Sequence, residues 1–221
     1  MSTGDQVRVL PQTQQLRALH TLIRNREASR EDFVHCARRV IRLLLESALD
    51  RLPFEERQVT TPVGAAYEGL AFTGKLCAVP VIRAGESMES ELRELLPGIR
   101  IGKILIQRDK QTKLPHLYYS HLPEDIAERH VLLLEPMLAT GGSAKAAVDV
   151  LLKAGVREER IVFVNFIASP EGIEALTAAH PRIQIVTSAV EERLNPDAFM
   201  IPGIGDFGDR FFGTADAAVS L

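Results

Sequence analysis

This chain is short of cysteine, of long apolar runs and of excess charge of either sign, and each shortage removes a class of protein. Its two cysteines, Cys36 and Cys77, stand far apart among apolar neighbours, so they are expected as buried thiols, with no disulfide framework or CxxC metal site. The six histidines form no HExxH or clustered pattern, and no metal site built from protein ligands is expected. No apolar segment approaches the ~18 residues needed to cross a bilayer, which sets aside a membrane protein. The opening residues, Met1 to Gln6, lack the charged and apolar regions of a secretory signal, so a cytoplasmic location is the expectation. A net charge of −3 argues against non-specific nucleic-acid binding. Repeats, low-complexity tracts and linkers are absent too, so the 221 residues are read as one domain, 1–221, long enough for a large core.

What remains is a soluble globular composition with a clear order of elements. Residues 1–60 read as N-terminal helices. Leu16, Leu19, Leu22 and Ile23 recur at helical spacing over Gln14 to Arg24, and Ser29 with Asp32 forms a capping signal for a second helix that Pro53 stops. From Cys77 the pattern becomes alternating: strands at Cys77–Ile82, Ile101–Ile106, Val131–Leu134, Ile161–Phe166 and Ile183–Thr187, with helices expected at Ser87–Leu96, after Gly142, and after Ser169. A hairpin strand is expected around Leu117–Tyr119. Strands alternating with helices imply an α/β fold with a parallel-rich sheet covered on both faces, whose ligands bind beyond the carboxyl ends of the strands.

The stretch from Val131 to Ser143 carries the most information. Four aliphatic residues make a buried strand, and Pro136 must end it at Glu135 because proline cannot donate to a ladder. Thr140-Gly141-Gly142-Ser143 then opens an apolar helical pattern. A small-residue turn at a helix N-terminus bares backbone N–H groups at the positive end of the dipole, a pocket suited to phosphate. An acid beside a phosphate pocket suits the hydroxyls of a phosphorylated sugar. Two arginines end neighbouring strands: Arg83, followed by Ala84 and Gly85, and Arg108, followed by a polar stretch with Lys110 and Lys113. Planar guanidinium donors at such places fit a diphosphate. Near the C-terminus, Gly203-Ile-Gly-Asp-Phe-Gly208 has the spacing of a dinucleotide fingerprint, but no βαβ unit can follow it and Pro202 interrupts the strand before it. It reads instead as a glycine-rich loop whose bare backbone can complement a small planar ligand.

Together these segments resemble a known family. Glu135-Pro136-Met137-Leu138-Ala139-Thr140-Gly141-Gly142-Ser143 is similar to the phosphoribosyl-diphosphate signature of type I phosphoribosyltransferases in the form used by uracil phosphoribosyltransferases, with Glu135 where that family has Asp. Arg83-Ala-Gly-Glu-Ser-Met88 resembles the family's Arg-Ala-Gly element, in a spelling closer to the eukaryotic-type branch. Ile201-Pro-Gly-Ile-Gly-Asp-Phe-Gly-Asp209 resembles its uracil loop, with Phe199 where many members have Tyr and Phe207 in place of a small Ala. The likeness runs from about Thr61 onward and more loosely through the N-terminal helices.

The resemblance implies the type I phosphoribosyltransferase fold and transfer of a 5-phosphoribosyl group to N1 of uracil, giving UMP and pyrophosphate. Carried over by position, Arg83, Arg108, Glu135 and Asp206 are the catalytic candidates. The donor is met by these four and by residues 136–143: Ala139 to Ser143 on the 5-phosphate, Glu135 on the ribose hydroxyls, the arginines on the diphosphate. Met200, Gly205, Asp206 and Phe207 meet uracil, within a base-binding segment over 195–221, and residues 108–122 form a hairpin flap. Mg2+ is carried by the diphosphate substrate. Members are dimers or tetramers, and some respond to GTP. The bulky Phe207 is expected to narrow the base pocket. The departures at Glu135 and Phe207 keep one competing reading, a weak or silent regulatory homologue that binds phosphoribosyl diphosphate without turnover; a purine-specific activity on the same fold is the other.

Overall fold

The computed structural model describes residues 6–108 and 115–214, apart from the side chain of Arg108. In chain order its elements are β1 (Val7–Val9), α1 (Gln14–Arg24), α2 (Arg30–Leu49), β2 (Phe54–Thr60), β3 (Ala66–Phe72), β4 (Lys75–Ile82), α3 (Glu89–Leu95), β5 (Arg100–Ile101), β6 (Lys103–Arg108) and β7 (Pro115–His121). There follow β8 (Arg129–Leu134), β9 (Met137–Leu138), α4 (Gly142–Lys153), β10 (Ile161–Ala168), α5 (Pro170–Ala179), β11 (Gln184–Val190), β12 (Arg193–Leu194), β13 (Met200–Ile201) and α6 (Phe207–Phe212). Among the described residues the main sheet has nine strands, running β1-β11-β10-β8-β4-β6-β7 with β5 beside β4 and β9 beside β10. All pairs in it are parallel except β6 with β7, so the sheet is the parallel-rich one expected.

The apolar runs that looked continuous in the sequence divide by alternation between two cores. Leu132 and Leu134 of β8, Ala78 of β4 and Val162 and Val164 of β10 face a cluster with Leu16, Leu19 and Ile23 of α1 and Val40, Ile41, Leu44 and Leu45 of α2. Val131, Leu133, Val79, Val81, Ile161 and Phe163 point the other way, against Ala144, Ala147, Val148 and Leu151 of α4. The starts after Ser29 and Ser169 are those the sequence marks. Thr13, Ser29 and Ser169 accept from the backbone N–H of Leu16, Asp32 and Gly172. Gly155, at φ 88, ends α4 in the left-handed conformation. Cys36 and Cys77 are buried as expected, and burial raises both thiols, Cys77 to about 11.

Three expectations need correction. The helix placed over Ser87–Leu96 is a 3-10 turn at Ala84–Met88 followed by the shorter α3. β1 and the β2–β3 ribbon were not anticipated; every residue of β2 is exposed, so no alternation of apolar and polar residues marks it. The third concerns Phe207 and belongs with the site. Lys110 and Lys113, with the turn of the expected flap, lie outside the described residues.

His20 carries a pH dependence. Its ring is buried, Nε2 lies 3.0 Å from Ser188 Oγ, and burial, then the Arg24 cation, lowers its pKa from 6.5 to about 4. Between those values the unfolded chain takes up a proton that the folded protein refuses. The contribution of His20 is therefore complete above pH 6.5 and is lost as pH falls toward 4. It amounts to about 3 kcal/mol. Urea denaturation over this range should show that slope, and a His20→Gln variant should lose it; equal slopes in both proteins would contradict the assignment.

Candidate active site

The strand-acid-loop-helix unit is built on one buried amide. After β8 ends at Leu134, Asn165 Nδ2 donates to the carbonyls of Glu135 (3.1 Å) and Pro136 (3.0 Å). Thr187 Oγ1 donates to Asn165 Oδ1 at 2.9 Å and so sets the orientation of the amide. Pro136 O also accepts from the N–H groups of Phe166 and Ile167, and the chain then rejoins the sheet as β9. Beyond it, residues 139–143 curl around a cavity of about 170 Å³ that Glu135 and Met137 to Ala144 line. Gly141 caps α4 at φ 77 without a side-chain acceptor, so the first N–H groups of this 12-residue helix are offered at the loop rather than consumed by a cap.

The loop is pinned from behind by α5. Ser169 Oγ donates to Ala139 O at 2.6 Å, and Ser169 N–H to Leu138 O at 2.9 Å. Gly172 makes that approach possible: a Cβ there would sit 2.4 Å from Ala139 O and 2.7 Å from Leu138 O. Gly85 plays the same part for the arginine turn, where a Cβ would lie 2.2 Å from Leu134 O. Both glycines let backbone press on backbone at the carboxyl end of the sheet.

Arg83 follows β4 directly. Its Nη2 contacts Asp209 Oδ1 at 2.6 Å and its Nη1 donates to Thr214 Oγ1 at 2.5 Å, while the same hydroxyl donates to Asp209 Oδ1. Hydrogen bonding by Thr214, then by Arg83, holds the Asp209 carboxyl below its ordinary pKa. The guanidinium thus rests on an anionic partner, Asp209. Behind it α3 is fixed through Glu91, fully buried, which accepts from Arg38 and Arg42 of α2. Burial pushes that carboxyl up, but the hydrogen bonds from Arg42 and Arg38 outweigh it and the net shift is downward. Arg108 ends β6, two strands from β8 in the sheet order.

The C-terminal segment arrives at the same place. A cavity of about 330 Å³ is lined by Ala84 of the arginine turn, Met137 and Ala139 of the segment after β8, and Ala198 to Met200 and Gly203 to Gly208. It thus brings Met200, Gly205, Asp206 and Phe207 together with the other two motifs. The segment is not all loop: Asp206 Oδ1 accepts from Asp209 N–H at 2.8 Å and starts α6, which Gly213 ends at φ 70. Here the expectation for Phe207 fails. Its side chain is 1% exposed and packs against Phe33, Phe166 and Phe211, with ring centroids 5.5, 5.1 and 5.6 Å away. The ring fills the core beneath the cavity instead of narrowing it. Phe199, 62% exposed, stands at the rim.

Sequence reading missed Asn165, Thr187, Gly172, Arg24, Glu191 and Arg210, which hold the site segments in place through contacts that local spacing does not reveal. Only α6 left a signal: an acid at the N-cap, Phe207 and Phe211 at i and i+4, and a glycine after the last turn.

Comparison with known proteins agrees with this geometry. The family model described as uracil phosphoribosyltransferase matches residues 9–214. A uracil phosphoribosyltransferase of Dictyostelium discoideum is 54% identical over 216 residues, covering 98% of this chain and all of the relative. That of Saccharomyces cerevisiae is 53% identical over 206 residues, covering 93% and 95%. Among solved structures, the AQ2163 protein from Aquifex aeolicus superposes with a TM-score of 0.82 at 29% identity, over 96% of this chain and 100% of that one. With three motifs around one cavity and a family match over nearly its whole length, this chain belongs to the uracil phosphoribosyltransferase family.

Proposed function

We propose that this chain transfers the 5-phosphoribosyl group of phosphoribosyl diphosphate to N1 of uracil, forming UMP and pyrophosphate. The observation that carries this reading is a cavity lined together by Ala84 of the arginine turn, Met137 and Ala139 of the donor motif, and the C-terminal loop. The bond between the anomeric carbon and the diphosphate breaks with its electron pair leaving on oxygen, and the N1 lone pair of uracil forms the new bond as N1 loses its proton. Positive charge grows on the ribose and negative charge on the diphosphate. Arg83 and Arg108 stabilise the latter, Thr140 to Ser143 with Ala139 hold the 5-phosphate, and Glu135 accepts from the ribose hydroxyls. The donor enters as its Mg2+ complex; Mg2+ needs few protein ligands when phosphates supply the rest. Among the described residues no group of three or more His, Cys, Asp or Glu side chains is arranged to hold a metal.

Uracil is met by the backbone at Met200, Gly205 and Phe207. A backbone-lined pocket discriminates because cytosine would place an amino donor where uracil has a carbonyl acceptor, and such a buried mismatch costs ~1–3 kcal/mol. Asp206 lines the same cavity; its Oδ1 serves the α6 cap, and we assign its Oδ2 to drawing the proton from N1.

Glu135 gives the direct test of the donor assignment. Shortening it to Asp moves the carboxylate by about 1 Å, a displacement able to change rates by ~10²-fold. Glu135→Asp should lower the donor KM several-fold and leave the uracil KM alone. An unchanged donor KM would remove Glu135 from the ribose.

We further propose that the protein works as a homodimer or homotetramer. Among the described residues the β2–β3 ribbon pairs only with itself and exposes Val59, Val63, Tyr67 and Leu70, and a lone two-stranded ribbon is marginal in water without a surface to pack on. GTP as an effector rests on family resemblance alone; UMP formation with and without GTP decides it. Among the described residues no helix is long and apolar enough to cross a membrane, and a cytoplasmic location is part of the proposal.

A further inference from the structure

Two half-buried arginines that hold the C-terminal loop have no part in the scheme above. Arg24, the last residue of α1, pairs with the buried Glu191 through both Nη atoms, at 2.9 and 2.5 Å. Together they grip one residue of the loop from both sides: Arg24 Nη1 donates to Gly203 O at 3.0 Å, and Gly203 N–H donates to Glu191 Oε2 at 2.6 Å. Gly203 sits at φ 71, and a Cβ there would lie 2.3 Å from Met200 O, so this clamp holds a turn no other residue could take. Arg210 of α6 grips the next residue. Its Nη1 donates to Ile204 O at 2.9 Å and to Ile23 O at 2.5 Å, its Nη2 to Asn25 O at 3.0 Å, and its guanidinium lies 4.2 Å from the centre of the Phe33 ring.

Each partner of Arg210 named here is a carbonyl or a ring, and two of the carbonyls belong to the C-terminal end of α1, where helix carbonyls lack internal partners and the dipole is negative. The end of one helix therefore fixes, through two arginines, the backbone at Gly203 and Ile204. The next residue is Gly205, at φ 75. A base read by main-chain groups is read only as well as those groups are aimed, and no side chain in the pocket can correct a peptide that has turned.

We propose that Arg210 and the Arg24–Glu191 pair are positioning residues for base recognition: without touching uracil, they aim the peptides from Gly203 to Gly205 at it. This rests on the base-loop reading given above. An arginine fork can serve three carbonyls at fixed angles, whereas a lysine offers a single point charge, so Arg→Lys keeps the charge and loses the aim.

The test is steady-state kinetics of Arg210→Lys and, separately, Arg24→Lys, with melting temperatures alongside. The uracil KM should rise about tenfold or more, as expected for misaligned buried hydrogen bonds, while the donor KM stays within about twofold. The preference for uracil over cytosine should fall in step. Uracil and donor KM rising together, neither rising, or failure of both variants to fold would overturn the proposal and leave these residues a purely structural role. A Gly205→Ala variant separates the two levels: if its uracil KM is unchanged, the base-loop reading itself fails, whatever the arginine variants do.

Discussion

Arg83→Ala will lower kcat/KM for UMP formation by about 10²–10³-fold, the range seen when one preorganised donor to a developing anion is removed. The guanidinium stands at the end of β4, backed by a turn that Gly85 allows to press on Leu134. Its side chain is half-exposed and rests on Asp209 and Thr214. An exposed pair of this kind contributes at most about 1 kcal/mol to folding, so stability should hardly change. The separation of the two effects is the point of the experiment: a large kinetic loss with an unchanged urea midpoint puts Arg83 on the diphosphate. Arg83→Lys should recover part of the rate, because charge is kept while bidentate geometry is lost. A variant with near-normal kcat/KM would take the arginine turn out of the active site.

Gly172→Ala should be nearly as damaging for a different reason. Within a helix, alanine in place of glycine ordinarily stabilises by roughly 0.5–1 kcal/mol. Here the added methyl would meet two backbone carbonyls, at 2.4 Å from Ala139 and 2.7 Å from Leu138, and neither can swing aside as a side chain could. The helix or the phosphate loop must move by about 1 Å, which costs ~10²-fold in a positioned reaction and about 1–3 kcal/mol in overpacking. The donor KM should rise with the loss. Gly142→Ala is the contrast, since the nearest atom to its added Cβ is Thr140 Oγ1 at 3.8 Å; its folding stability should hold. Urea melts of both variants, with donor kinetics of Gly172→Ala, check this. Equal stability for Gly172→Ala and the native protein would mean that the close packing of α5 on the loop is not needed.

Local signals in the chain were legible where one residue type had one physical task. Pro136 ended β8, Ser29 and Ser169 capped their helices, and the aliphatic strands declared a sheet buried on both faces. The three motifs read as ligand loops do gather, because a parallel sheet brings its strand ends to one side and the C-terminal segment folds back over them. Legibility failed in two situations. Where both faces of a strand are exposed, as in β2, alternation carries no signal and the element passes for loop. Where one segment is shaped by another far along the chain, spacing says nothing: Asn165 holds the carbonyl of Glu135 thirty positions away, and Arg210 reaches Ile23 across 187. Phe207 was misjudged because replacing a small residue by a large one looks like obstruction until the direction of the side chain is known, and α6 turns this ring into the core.

The central claim is that one cavity joins a phosphoribosyl donor to uracil and to no other base. Its most direct test is UMP formation from phosphoribosyl diphosphate and uracil with Mg2+, beside cytosine, hypoxanthine and adenine under the same conditions. Turnover with uracil alone is the predicted result. Donor binding without turnover of any base would contradict it and make the protein a phosphoribosyl-diphosphate sensor, and turnover of a purine would contradict the assignment of the C-terminal loop to uracil.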